Sequence, residues 1–82
     1  MKVTILYFAA VRDLTGIAEE TIDVPTDVTT IERLRAHLAT LHPTLDGRLG
    51  PVRFAKNEEF AAPNEAVDDG DVVALIPPVA GG

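Results

Sequence analysis

The sequence predicts an α+β fold: a mixed sheet of about four to five strands, one main amphipathic helix on one sheet face, and an extended C-terminal tail. Three observations carry the prediction. β-branched and aromatic residues alternate over Lys2 to Ala9, an apolar stripe at helical spacing runs from Ile31 to Leu41, and a final apolar segment, Val72 to Ile76, passes directly into Pro77-Pro78. The division that follows is a domain over residues 1–76 and a tail over 77–82.

In the first strand Val3, Ile5 and Tyr7 share one side, while Lys2, Thr4, Leu6 and Phe8 share the other. The second side begins polar and turns apolar. A connection around Arg12-Asp13-Leu14-Thr15-Gly16 leads to Glu19–Val24, whose alternation fits a short hairpin partner ended by Pro25. Thr29-Thr30-Ile31-Glu32 has capping-box spacing, which places the helix start with Thr29 as the capping hydroxyl and Glu32 reaching back. Ile31, Leu34, Leu38 and Leu41 form the buried stripe opposite Glu32, Arg33, Arg35 and Thr40, and Pro43 stops the helix. After a loop punctuated by Gly47 and Gly50, Val52–Lys56 reads as a third strand. Asn57-Glu58-Glu59 then turns the chain toward a short apolar piece around Phe60. Asp68-Asp69-Gly70-Asp71 reads as a polar turn feeding the last strand.

One helix covers one face only. Phe8, Phe60 and Ile76 fall on the uncovered side, where they either form an exposed patch that marks a partner interface or close a second small cluster under the loops.

Length and composition limit the chemistry. Eighty-two residues supply one small core, and 46% hydrophobic with 24% charged residues is a globular balance. Seven basic against thirteen acidic residues give a net charge of -6, which disfavours nucleic acid and anionic membrane surfaces as partners. There is no cysteine, so disulfides, thiolate catalysis and cysteine metal sites are excluded. The longest apolar run, Ile5 to Val11, falls far short of the roughly 20 residues a membrane helix needs. Lys2 and the apolar run after it read as a strand and not as a signal peptide, which with the missing cysteine points to a cytoplasmic location. His37 and His42 are five apart and do not share a helix face. The aspartates of 68–71 lack the ligand spacing of a calcium loop, so no metal site is expected. No phosphate loop, nucleophile elbow or triad is present, so the chain is not expected to be an enzyme on its own.

The carboxyl terminus remains. Two prolines directly after a strand hold the following residues out from the body, and Gly81-Gly82 removes every Cβ from the tip. Six extended residues at roughly 3.3 Å each reach about 20 Å, enough to enter a narrow tunnel. The reactive group is the Gly82 carboxylate, which is inert until activated, with ATP-dependent adenylation the obvious route.

These residues carry a resemblance. DDGDVVALIPPVAGG resembles the C-terminal signature of MoaD, the small subunit of molybdopterin synthase; VTILYFAAVRDLTG is similar to that family's first strand and turn, and the Thr-Thr-Ile-Glu-Arg-Leu helix start extends the likeness over nearly the whole chain. The resemblance implies the ubiquitin-like β-grasp fold. It also implies a sulfur carrier whose Gly82 is adenylated with ATP by a MoeB-like activating enzyme and converted to a thiocarboxylate by a sulfur donor protein. The tail Pro77, Pro78, Val79, Ala80, Gly81 and Gly82 then enters a MoaE-like large subunit, in a heterotetramer of two small and two large subunits, where sulfur passes to cyclic pyranopterin monophosphate. No bound cofactor is implied for the chain itself. One departure stands out: Lys56-Asn57 replaces the family's usual Val-Asn, which puts that local contact in doubt. A ThiS-like or cysteine-synthesis sulfur carrier would share the Gly-Gly end and the activation chemistry, and so would a ubiquitin-like protein modifier.

Overall fold

The computed structural model describes residues 1–78; the expectations for Val79, Ala80, Gly81 and Gly82 lie outside the described residues. Strands β1 (Lys2–Tyr7), β2 (Glu19–Asp23), β3 (Arg53–Lys56), β4 (Glu59–Phe60) and β5 (Val72–Ile76) form one sheet in the order β2-β1-β5-β3-β4. The β1–β5 pair is parallel, with Tyr7 opposite Leu75, and the other pairs are antiparallel. The last strand is therefore the central one, as the β-grasp arrangement requires.

Period-two alternation sets the two faces. Val3, Ile5, Tyr7, Val73 and Leu75 point inward and are fully or almost fully buried. Helix α2 (Ile31–Leu41) lies over that face and contributes Ile31, Leu34 and Leu38 to the core. Leu41, the fourth residue of the predicted stripe, is 45% exposed: as the last residue of the helix, just before the His42 cap, it lies past the core residues Leu34 and Leu38. Among the described residues no charged or polar residue is buried, so burial of apolar surface is the main stabilising term.

Two further local expectations are corrected. The residues after the first strand form a second helix, α1 (Ala9–Thr15), in place of a simple connection; only Val11 is buried in it, and Gly16 closes it at φ 77° with its N–H donating to the Arg12 carbonyl (2.8 Å). The cap of α2 is Thr30 and not Thr29. Thr30 Oγ1 accepts from the Arg33 N–H at 3.2 Å, while the N–H groups of Ile31 and Glu32 donate to the carbonyls of Glu65 and Pro63. The 63–67 segment thus satisfies backbone donors that a capping box would have served, and Glu32 turns to Arg35 (3.4 Å).

Candidate functional site on the open sheet face

The face away from α2 is uncovered among the described residues. Register places Leu6 beside Ala74, Ala74 beside Ala55, and Ala55 beside Phe60, so one row crosses β1, β5, β3 and β4. Its middle members are methyl groups and its ends are large. The result is a groove of about 580 Å³ with Ala55 and Ala74 in its floor and Leu6, Phe8, Phe60, Val72 and Ile76 around it. Phe8 and Phe60 are 45% and 56% exposed. Phe8 follows β1 directly as the N-cap residue of α1, and Ala9 turns the chain there with φ 49°.

The β3–β4 hairpin forms one end of the groove. Asn57 and Glu58 have φ 50° and 74°, the two left-handed positions of a type I′ turn between the paired Lys56 and Glu59. Asn57 suits that conformation and also holds β5. Its Oδ1 accepts from the Val72 N–H and its Nδ2 donates to Asp71, both at 3.0 Å. Lys56, the departure from the family pattern, points away from the groove; its ammonium donates to the Ala66 carbonyl (2.8 Å) and pairs with Glu65 (3.2 Å). On the groove side Arg53 stacks on Phe60, its guanidinium carbon 3.7 Å from the ring centroid.

The root of the tail belongs to this site. Ile76 lines the groove and is followed by Pro77 and Pro78, which have no N–H to continue the β5 ladder toward β1 or β3. The structure thus brings Phe8, Phe60 and Ile76 to one groove, with the first two tail residues following Ile76 in the chain. Leu6, Ala55, Val72, Ala74 and Arg53 were not anticipated in this role, although the parity of Leu6 and Ala74 was available in the sequence.

A second cluster lies on the other side of the sheet. Glu20 Oε2 accepts from the Tyr7 hydroxyl and from His42 Nε2, each at 2.6 Å, and the Tyr7 and His42 rings meet edge to face at 5.7 Å. Burial first, and then the hydrogen bond and the charge of Glu20, push the Tyr7 phenol well above the usual tyrosine range. This network ties β1, β2 and the end of α2 together and makes no opening to the groove. Among the described residues no group of three His, Cys, Asp or Glu side chains could hold a metal ion. No helix there is long and apolar enough to cross a membrane.

The ThiS family matches residues 5–82. The chain belongs to that family. Among curated relatives, it is 40% identical over 84 residues to the molybdopterin synthase sulfur carrier subunit of Chlamydomonas reinhardtii, with all of both chains covered. Among solved structures, this ThiS-family chain matches SAMP1 from Haloferax volcanii with a TM-score of 0.87 and 30% identity, again over the whole of both chains. It also matches a chain in the complex of subunits 1 and 2 of the molybdopterin-converting factor from Helicobacter pylori, with a TM-score of 0.69, 28% identity and full coverage of both. The β-grasp fold is common to these relatives.

Proposed function

We propose that this chain is the sulfur carrier subunit of a molybdopterin synthase, a non-catalytic small subunit that presents Gly82 to its partners. The observation that carries the reading is the sharing of β5 between groove and tail: Ala74 and Ile76 belong to the apolar surface, and the prolines that launch the tail follow at once. A large subunit that grips the groove thereby receives the tail in a fixed direction. The naming of the curated relatives and the two-subunit complex from Helicobacter pylori support this partner over other sulfur-transfer partners.

On a MoeB-like activating enzyme, a Gly82 carboxylate oxygen attacks the α-phosphorus of ATP and pyrophosphate leaves. A persulfide of a donor protein then attacks the carbonyl carbon and AMP leaves. A thiol reductant cleaves the resulting acyl disulfide, which leaves a thiocarboxylate, and the reductant is itself oxidised to a disulfide with the donor's thiol. In the large subunit that sulfur bonds to a carbon of cyclic pyranopterin monophosphate as an oxygen substituent leaves, and water hydrolyses the resulting thioester, so that the sulfur stays on the substrate and the carboxylate is restored. The chain's own share is positional. Pro77 and Pro78 keep the tail from pairing with the sheet, and the glycines give a tip slender enough for a tunnel.

The test is the intact mass of the chain purified from its own host together with its large subunit. Replacement of one oxygen by sulfur is expected; a carboxylate left unaltered in the presence of ATP, activating enzyme and sulfur donor would overturn the reading. The match to SAMP1 favours, as a second reading, a modifier joined through Gly82 to lysine amines. Isopeptide-linked Gly82 on other proteins would establish that reading instead.

A further inference from the structure

Arg53 occupies the open-face position of β3 directly opposite Ile76, the last residue before the tail prolines. Its guanidinium lies on the Phe60 ring. Stacking of this kind uses the flat face of the guanidinium and leaves its N–H donors free at the edges. Among the described residues nothing takes them: Lys2, Arg35 and Lys56 have the carboxylates of Asp23, Glu32 and Glu65, whereas Arg53 has only the ring. Glu32, which shares a neighbouring cleft with Arg53, is committed to Arg35.

A partner seated on the groove covers Phe60 and strips water from the cation stacked on it. An unpaired charge desolvated in this way costs more than a cation–π contact returns, so a tight complex needs an acceptor at that point. A carboxylate is the acceptor whose two oxygens match the fork of a guanidinium. The hairpin turn places the anion Glu58 on the rim of the same groove as Phe60, so the surface offers one cation and one carboxylate in a fixed order.

We propose that Arg53 is a specificity determinant of the interface, forking onto an aspartate or glutamate side chain of the large subunit next to the point where the tail departs. The inference rests on the sulfur-carrier reading for the identity of the partner. With Glu58 on the groove rim, the pairing sets the orientation of docking and discriminates against surfaces that lack an acidic residue there.

Calorimetric titration of the parent chain, Arg53→Leu and Arg53→Lys against the cognate large subunit, at low and high salt and with thermal melts alongside, tests this. Leucine still covers the Phe60 ring but has no charge; lysine keeps the charge without the fork. Arg53→Leu is expected to raise the dissociation constant about tenfold, with Arg53→Lys between it and the parent, and the parent-to-leucine ratio should shrink as salt rises. Equal binding by parent and Arg53→Leu, or equal losses for leucine and lysine that do not change with salt, would overturn the proposal and leave the sulfur-carrier reading standing. If the parent itself does not bind the large subunit, both fall together.

Discussion

Ala55 lies beside Ala74 in the antiparallel β3–β5 register, and the groove on the open sheet face exists because neither side chain extends beyond a methyl group. Their neighbours in the same row, Leu6 and Phe60, are large, so the floor is low only in the middle. An apolar hollow of this shape accepts an apolar projection from a partner, and filling it from within should close it.

Ala74→Leu is the direct test. Ala74 is half-buried on the open side, where a longer side chain can extend into the groove without entering the core. Folding stability should change by less than about 1.5 kcal/mol, while the dissociation constant for the large subunit should rise at least tenfold. Calorimetric titration with a melt of each protein separates the two effects, and unchanged binding would remove the groove from the interface.

The helix supplies the second prediction. Leu34 and Leu38 have no exposed surface, so Leu34→Ala or Leu38→Ala should each cost about 2 to 5 kcal/mol, a large part of the roughly 5 to 15 kcal/mol typical of a domain. Thr30→Ala should cost about 1 kcal/mol through the lost cap to the Arg33 N–H. Thr29→Ala should cost less than Thr30→Ala, since the Thr29 carbonyl, which accepts from the Val67 N–H, survives the substitution. Urea denaturation of the variants checks the ranking; equal costs for the two threonines would contradict the assigned cap.

The third prediction concerns alkaline pH. Tyr7 is the only tyrosine, so the phenolate absorbance near neutral to high pH reports it alone. Burial and Glu20 raise its folded pKa above the ordinary value of about 10. Below that value both folded and unfolded chains hold the proton, and the full stabilisation is present. As pH climbs past it, the unfolded chain releases a proton that the folded chain keeps, so stability must fall with rising pH. Phenolate should therefore appear together with unfolding, as judged by circular dichroism, and Tyr7→Phe should flatten the alkaline decline. Phenolate formation near pH 10 in a fully folded chain would show that the hydroxyl is not held by Glu20.

Much of this architecture was legible in the sequence, and the exceptions have physical reasons. The alternation of β1 and β5 fixed which side chains face the core because a strand has only two faces, and Leu34 and Leu38 fixed the helix face. Helix α1 was not legible: its residues continue an apolar run from β1, its N-cap Phe8 offers no side-chain hydrogen bond, and the closing Gly16 reads equally well as a turn. The cap at Thr30 was hidden because the partners that displace the capping box, Pro63 and Glu65, are distant in sequence. Phe8, Phe60 and Ile76 announced the apolar rim of the site by size. Its floor escaped notice because alanine signals neither burial nor exposure, and Arg53 escaped because its stack on Phe60 depends on the β3–β4 hairpin closing through Asn57 and Glu58.

The last prediction separates docking from chemistry. In the proposed function Gly82 carries the reacting carboxylate, whereas Phe8 lies on the groove wall with 45% of its surface exposed. Deleting Gly82 should abolish thiocarboxylate formation and leave both the melting temperature and groove-mediated binding to the large subunit largely unchanged. Gly81→Ala should act in the same direction but more weakly, since it thickens the tip without removing the carboxylate. Phe8→Ala should do the converse: a truncated aromatic anchor commonly costs about 2 kcal/mol or more in binding, which is tens of fold in the dissociation constant. Its effect on stability should stay within about 1 kcal/mol because the ring is half out of the core, and adenylation should proceed if the activating enzyme reads chiefly the tail. Intact mass after incubation with ATP, activating enzyme and sulfur donor measures the first pair of effects, and titration against the large subunit measures the second. Normal sulfur loading on the deletion variant would show that the terminal glycine is not the carrier; normal binding by Phe8→Ala would move the interface off this groove.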